Sequence, residues 1–396
     1  MGDFMKTRQK SARPDGPSRR LFWGVLSASL VLFLALFFYA RAGRSTYDEG
    51  AGISYETARV LAVLADDTEL DPEVENVRRG SQELRLELLS GRHRGDVAQV
   101  TNYLSAFYNV YVKAGDKVAV SVNTLATGEY SVSVYNYARD LWIWGFILLF
   151  ALVLVAVGGR QGLRALLGLG VTVACVIFLL VPLLVQRGWP PIPTTLAMVA
   201  YTTFVTFVLI GGVQVKTLVA ALGSFGGVVL AGLLAWGACR VIHISGMNMD
   251  EAESLLLTAV DNGLKIKGLF ICGILIAAEG AVMDIAMSIA SAVDELHRVN
   301  PTLTTGALFR SGMNIGRDAM GTMANTLVLA FAGTSLNMMI FIYAYDVSYV
   351  QLLNTDFMAI EVIRSLSASV GIVLTVPLVA WLSAWLLKKG KSCPAG

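Results

Sequence analysis

The chain has 396 residues, 55% hydrophobic and 15% charged, with a formal net charge of +2 and a mean hydropathy of +0.62. One soluble core of this length does not need so much apolar residue, so the composition points to a polytopic membrane protein and gives no support to nucleic-acid binding. Cys175, Cys239 and Cys272 lie in or beside apolar runs and Cys393 lies in the tail, which implies no disulfide framework.

Residues 1–20 form a basic tail carrying Lys6, Arg8, Lys10, Arg13, Arg19 and Arg20. A first apolar run, 21–40, follows. Ala40-Arg41-Ala42 has the small-x-small form of a signal cleavage site, but the run is longer than a usual signal core, so an uncleaved anchor is expected.

Residues 45–140 form the one expected soluble domain. Alternation over Glu83–Leu88, Val118–Val122 and Tyr130–Val134 predicts half-buried strands. Turn signals stand at Ser90-Gly91, Ala114-Gly115-Asp116 and Thr127-Gly128-Glu129. A small β-barrel or sandwich is expected. The run Val112-Lys113-Ala114-Gly115-Asp116-Lys117-Val118 looks like the turn of small barrels in export adaptor proteins. Fifteen acidic against nine basic side chains make the domain acidic. Such a surface serves solubility, attracts cations or docks an extracytoplasmic protein partner.

Residues 141–387 then hold seven more apolar runs long enough to cross roughly 30 Å of hydrocarbon. With Leu21 to Ala40 the expected spans are Leu141 to Val157, Ala165 to Val185, Ile192 to Gly212, Leu218 to Val241, Leu269 to Ala292, Asp318 to Ala344 and Ala359 to Leu387. A second basic tail, 388–396, carries Lys388, Lys389 and Lys391. Basic residues before the first run and after the last place both termini in the cytoplasm and residues 45–140 outside, and Arg160, Arg164, Lys216, Arg298 and Arg310 agree. Trp142, Trp144 and Trp189 fall at expected interfaces. The fold class expected is an all-α polytopic membrane bundle of about eight transmembrane helices, with a small extracytoplasmic β-rich domain between helices 1 and 2.

Polar residues inside these runs carry the functional signal. A charge at bilayer depth costs roughly 3 kcal/mol or more, so such groups line a pathway or pair with a partner. Asp284 lies mid-run with Glu279 five residues earlier. At 100° per residue the two point about 140° apart, so no proton-sharing dyad is expected. Asp284 shares a stripe with Gly273, Ala277, Gly280, Ser288, Ser291 and Glu295, and is expected to face another helix. In the next run Arg310, Asn314, Asp318, Thr322 and Asn325 share a face, with Arg317, Gly321 and Thr326 beside it. Asn325 and Thr326 are placed to hydrogen-bond Asp284, while Arg317 and Asp318 fit an interfacial ion pair. Gly223, Gly227, Ala231 and Ala235 recur four apart, a spacing for close helix packing. Glu361 and Arg364 are spaced for an i to i+3 pair, and Pro377 is expected to kink its helix.

No soluble-enzyme constellation is present. His93, His243 and His297 are scattered without metal-ligand spacing, and there is no paired-cysteine motif or nucleophile elbow. Gly158-Gly159-Arg160-Gln161-Gly162 has no Lys-Ser/Thr of a phosphate loop. No enzymatic activity and no cofactor are expected; a metal is left open.

Two long blocks, Gly280 to Ser291 and Ser311 to Leu327, closely resemble the YibE/F-like family of bacterial membrane proteins. Looser matches at Gly162 to Leu169 and Lys216-Thr217-Leu218 extend the resemblance over most of residues 140–385. It implies a multi-pass protein of the bacterial cytoplasmic membrane. In that family the position of Glu279 is normally apolar, which leaves Asp284, Asn314, Arg317, Asp318, Thr322 and Asn325 as the candidates the resemblance favours. Asp284, then Glu295, then the run Thr322 to Leu327 also looks distantly like the proton-conducting half of SecD/SecF, at the level of fold analogy.

The leading expectation is an ion-coupled transporter or export-associated protein. In it Asp284 takes up and releases a cation, H⁺ first, with Asn325, Thr322 and Thr326 stabilising one protonation state. The alternative is a non-catalytic scaffold or assembly protein that holds a partner through residues 45–140.

Overall fold

The computed structural model describes residues 17–41, 52–125, 128–244, 265–266 and 268–389. Most of both basic tails, Ala42 and Thr127 lie outside the described residues. The chain divides into two compact units, Ser45–Val153 and Met1–Arg44 with Leu154–Gly396.

In the first unit, β1 (Gly52–Leu70), β2 (Arg78–Leu88), β3 (Val97–Leu104), β4 (Lys117–Thr124) and β5 (Tyr130–Tyr137) form one antiparallel sheet in the order β3-β2-β1-β4-β5. It is a β half-barrel. The long β1 serves two neighbours, pairing with β4 over Gly52–Arg59 and with β2 over Ala58–Leu70. Register shifts between Val60 and Ala62 and between Val63 and Ala65 mark bulges, which bend a strand and increase its twist. The curved sheet closes over Val60, Leu84, Leu86, Leu88, Val118, Val120 and Val122, all fully buried.

Two buried amides hold an irregular segment against this sheet. Gln82 Nε2 donates to Val112 O at 3.1 Å and its Oε1 accepts from Val112 N at 3.2 Å. Asn102 Nδ2 donates to Val110 O at 2.8 Å. The segment thereby satisfies backbone groups that would otherwise be buried without partners. The turn expected after it forms as Lys113 N donates to Asp116 Oδ2 at 2.8 Å. It is fastened to β1 by Gly115 N to Val60 O at 2.8 Å and Val60 N to Asp116 O at 2.9 Å.

The other unit is helical: α1 (Pro17–Arg41), α2 (Asp140–Cys175, which begins in the first unit), a π-helical turn (Val176–Leu180), α3 (Val181–Arg187), α4 (Pro191–Gly211), α5 (Val215–Ile242), α6 (Leu269–Val299), α7 (Thr305–Thr334), α8 (Leu336–Ala344), α9 (Tyr349–Leu353) and α10 (Asp356–Lys389). Among the described residues six helices are long and apolar enough to cross a membrane, or up to seven if α7 and α8, bent by 57°, make one span. Eight spans are expected from the sequence. The expected second and third spans are counted together in the 48-residue stretch Asp140–Arg187, within which two helices meet at a kink between the two expected spans. Gly159, at φ 54° and ψ −133°, interrupts that stretch in a conformation open mainly to glycine. The seventh expected span is likewise not one straight helix, because the chain turns at Ser335 between α7 and α8. α10 is assigned as one helix through Pro377.

α10 packs against α5, α6 and α7 through small residues. A Cβ at Gly227 of α5 would lie 1.8 Å from Thr375 Oγ1, and one at Gly316 of α7 would lie 2.2 Å from Val376 and 2.9 Å from Ile289 of α6. The small-residue spacing read on α5 is therefore a packing seam against α10, as expected. Glu361 and Arg364 form their i to i+3 pair at 2.8 Å.

Gly227→Val should lower the stability of the detergent-purified protein by about 1–3 kcal/mol through overpacking. Gly237→Val on the same helix, where nothing lies within 4 Å, should change it by less than about 0.5 kcal/mol; thermal melts of the two variants check the contrast. In the half-barrel the Thr68 hydroxyl, followed by Tyr111, Gln82 and the Thr68 amide, outweighs burial and holds the Asp66 carboxyl below the usual range. A depressed native value means this stabilisation is present above the unfolded pKa of about 3.9 and is lost as pH falls through the native one. Asp66→Asn should therefore weaken hydrogen-exchange protection of β1 and β2 at pH 7, and the difference from the parent should vanish in acid.

Candidate functional site

The two carboxylates of α6 lie on opposite faces of the helix, as their 140° separation requires. Glu279 is 2% exposed and points toward α4; Asp284 is on the exposed face.

Glu279 Oε1 accepts from Thr202 Oγ1 at 2.5 Å and from Thr203 Oγ1 at 3.2 Å, while its Oε2 has no partner among the described residues. No cationic side chain is paired with it among the described residues. A buried carboxylate without a cation costs several kcal/mol, so this position calls for a proton or a bound cation. Thr202 has a particular part in that. Its hydroxyl also lies 3.0 Å from Met198 O and 3.1 Å from Val199 O. A hydroxyl carries one proton and two lone pairs. Thr202 can therefore donate to an ionised Glu279, or accept from the protonated acid while donating to its own helix. One side chain thus serves both protonation states without moving a backbone.

These hydroxyls are candidate site residues that the sequence alone does not single out. α4 holds Thr194, Thr195, Thr202, Thr203 and Thr206, all buried. Five threonines in one apolar helix, several of them seven or eight residues apart, were the available signal. His297, further along α6, is also buried, and neither ring nitrogen has a partner among the described residues.

The stripe read around Asp284 exists as one face, but that face is turned outward. Gly273, Gly280, Asp284, Ser288 and Glu295 are exposed, and Ala277 and Ser291 are half-buried. Contrary to expectation, Asp284 faces no other helix among the described residues. The polar face of α7 is also exposed at Arg310, Asn314, Arg317, Asp318, Thr322, Asn325 and Thr326. The expected hydrogen bonds from Asn325 and Thr326 to Asp284 are not formed. Thr326 Oγ1 instead donates to Thr322 O at 2.9 Å on its own helix. Arg317 and Asp318 make no ion pair among the described residues.

Packing explains both corrections. α7 turns Leu308, Gly312 and Gly316 inward, with Gly312 against Val293 and Ala380 and Gly316 against Ile289 and Val376. Its polar residues are carried round to the outside. Those contacts set an antiparallel register in which Asp284 is level with Gly321. Asp284, Asp318 and Thr322 are all exposed. Among the described residues no group of three or more His, Cys, Asp or Glu is placed to hold a metal ion.

The family model of the YibE/F-like proteins matches residues 146–389, from within α2 to the end of α10, and includes both polar faces. The chain belongs to the YibE/F-like family. Comparison with curated proteins and with solved structures finds no match. The match and the apolar helices together make this YibE/F-like chain a membrane protein.

Removing the Thr202 hydroxyl tests the cradle. Thr202→Val should cost about 1–3 kcal/mol by leaving a buried oxygen without its partner. The same change in a Glu279→Leu background should cost much less. A double-mutant cycle from thermal melts reads the coupling.

Proposed function

We propose that this YibE/F-like protein is an ion-coupled transporter, or an export-associated membrane protein, in which α6 carries an exchangeable proton. The observation that carries the reading is Glu279, buried in an apolar helix with hydroxyls on one oxygen and, among the described residues, no partner on the other and no cation beside it. A side chain so placed is costly unless it binds something, and intramembrane carboxylates commonly mark ion pathways. The outward face of Asp284, Asn314, Arg317, Asp318, Thr322, Asn325 and Thr326 supplies a second set of polar groups along the same helices, and is the proposed path for ion or substrate. Eight spans with both termini cytoplasmic and the half-barrel outside, in a bacterial cytoplasmic membrane, complete the proposal. Loop charge supports that orientation. The distant likeness to SecD/SecF belongs to this reading as analogy alone.

A second reading has its own support. Tyr103 at the end of β3 and Phe107 and Tyr108 on the connection that follows it are 75%, 95% and 71% exposed. Aromatic side chains standing together in water favour a partner surface. This reading makes the protein a scaffold that holds an extracytoplasmic protein through the half-barrel.

The test is reconstitution in liposomes with a trapped pH dye, over a panel of cations and small solutes. Coupled proton movement is expected in the parent and is expected to be lost in Glu279→Gln. Loss in Asp284→Asn with retention in Glu279→Gln would move the coupling group to the outer face. Unchanged movement in both variants would sink the carboxylate reading. The scaffold reading instead expects Phe107→Ser with Tyr108→Ser to abolish function in cells while Glu279→Gln alters only thermal stability.

A further inference from the structure

At the end of the helical unit where α4 begins, α5 ends and α6 begins, the described residues surround a cavity of about 750 Å³. Its lining contains three basic side chains, Arg240, His243 and Lys265, all exposed, and no acidic one among the described residues. The guanidinium of Arg240 lies over the Trp236 ring, 4.3 Å from its centroid. The rest of the lining is largely apolar. A second cavity of about 240 Å³ adjoins it, sharing Ile192, Trp236 and Ile271. It leads on between Leu196, Val229, Leu233 and Leu275, with no charged residue in its lining among the described residues.

One end of this continuous groove is cationic and sits at helix ends; the other is hydrocarbon-like and runs along helices that cross the membrane. A soluble anion would satisfy only the mouth. A neutral lipid would leave the basic groups without a counter-charge. From Arg240 to Val229 is eleven residues of helix, about 16 Å at 1.5 Å per residue. That matches half of the roughly 30 Å hydrocarbon core, the reach of one acyl chain within a leaflet. We propose that the groove between α4, α5 and α6 is a binding site for an anionic phospholipid. The phosphate sits against Arg240 and Lys265, Trp236 lies at the junction of head and chain, and one acyl chain lies along Val229 and Leu275. The site is separate from Glu279 and from the outer face of Asp284, and it does not depend on transport.

The test uses full-length protein in phosphatidylcholine vesicles, with brominated phosphatidylglycerol or brominated phosphatidylcholine added at increasing mole fraction. The readout is the part of the tryptophan fluorescence that Trp236→Phe removes. Each basic residue near an anionic lipid is worth about a fivefold preference, so the anionic lipid should quench at about 25-fold lower mole fraction than the neutral one. Arg240→Gln and Lys265→Gln should each give up about fivefold of that preference, while Arg240→Lys should keep it. Val229→Phe, checked by thermal melting to be folded, should weaken quenching by filling the chain end of the groove. Equal quenching by the two lipids would overturn the proposal and mark ordinary bilayer contact. Displacement of the anionic lipid by millimolar inorganic phosphate would also overturn it, by assigning the mouth to a soluble anion. Absence of quenching by either lipid in the folded protein would overturn it as well, by showing that no lipid enters the groove.

Discussion

The helical unit depends on the close approach of α10 to α5, α6 and α7. Inside a bilayer, helices gain nothing by hiding apolar surface from water, so short-range packing must hold them together. Glycine provides that range here. Consecutive positions of α10 reach different neighbours: Thr375 meets Gly227 of α5 while Val376 meets Gly316 of α7, and one turn on Val379 meets Gly223 while Ala380 meets Gly312. A side chain at any of these glycines would push apart helices that share the same core.

That packing fixes how α6 and α7 are rotated, and rotation decides the chemistry of their polar residues. With Ile285, Ile289 and Val293 committed to the core, Glu279 is carried inward to the threonines of α4 and Asp284 outward. The two carboxylates of one helix therefore meet different surroundings. One is enclosed by hydroxyls that serve a proton-bearing or an ionised group; the other stands on the exposed face of its helix.

The half-barrel shows which signals a sequence carries well. β2, β4 and β5 were legible because their inward positions are apolar and alternate strictly, as in Leu84, Leu86 and Leu88. β1 was not, since two bulges shift its register and break the period on which the reading rests. β3 was missed for another reason. One of its inward positions is Asn102, a polar residue that belongs inside only because Val110 O is there to accept its proton. The threonines of α4 escaped in the same way, because a hydroxyl within an apolar run satisfies its own helix until a partner such as Glu279 is brought to it.

By itself the sequence determined membrane residence, the succession of apolar runs, the separate β-rich region, the angular separation of Glu279 from Asp284 and the family blocks. These follow from composition and local period, which each segment carries alone. Tertiary structure decided which side of each period is covered. It turned the Asp284 stripe outward, gave Glu279 its hydroxyls and bent the chain between α7 and α8. Helical spacing assigns residues to a common face; only the neighbours packed against the helix decide whether that face meets protein, because burial is a property of the assembly of segments.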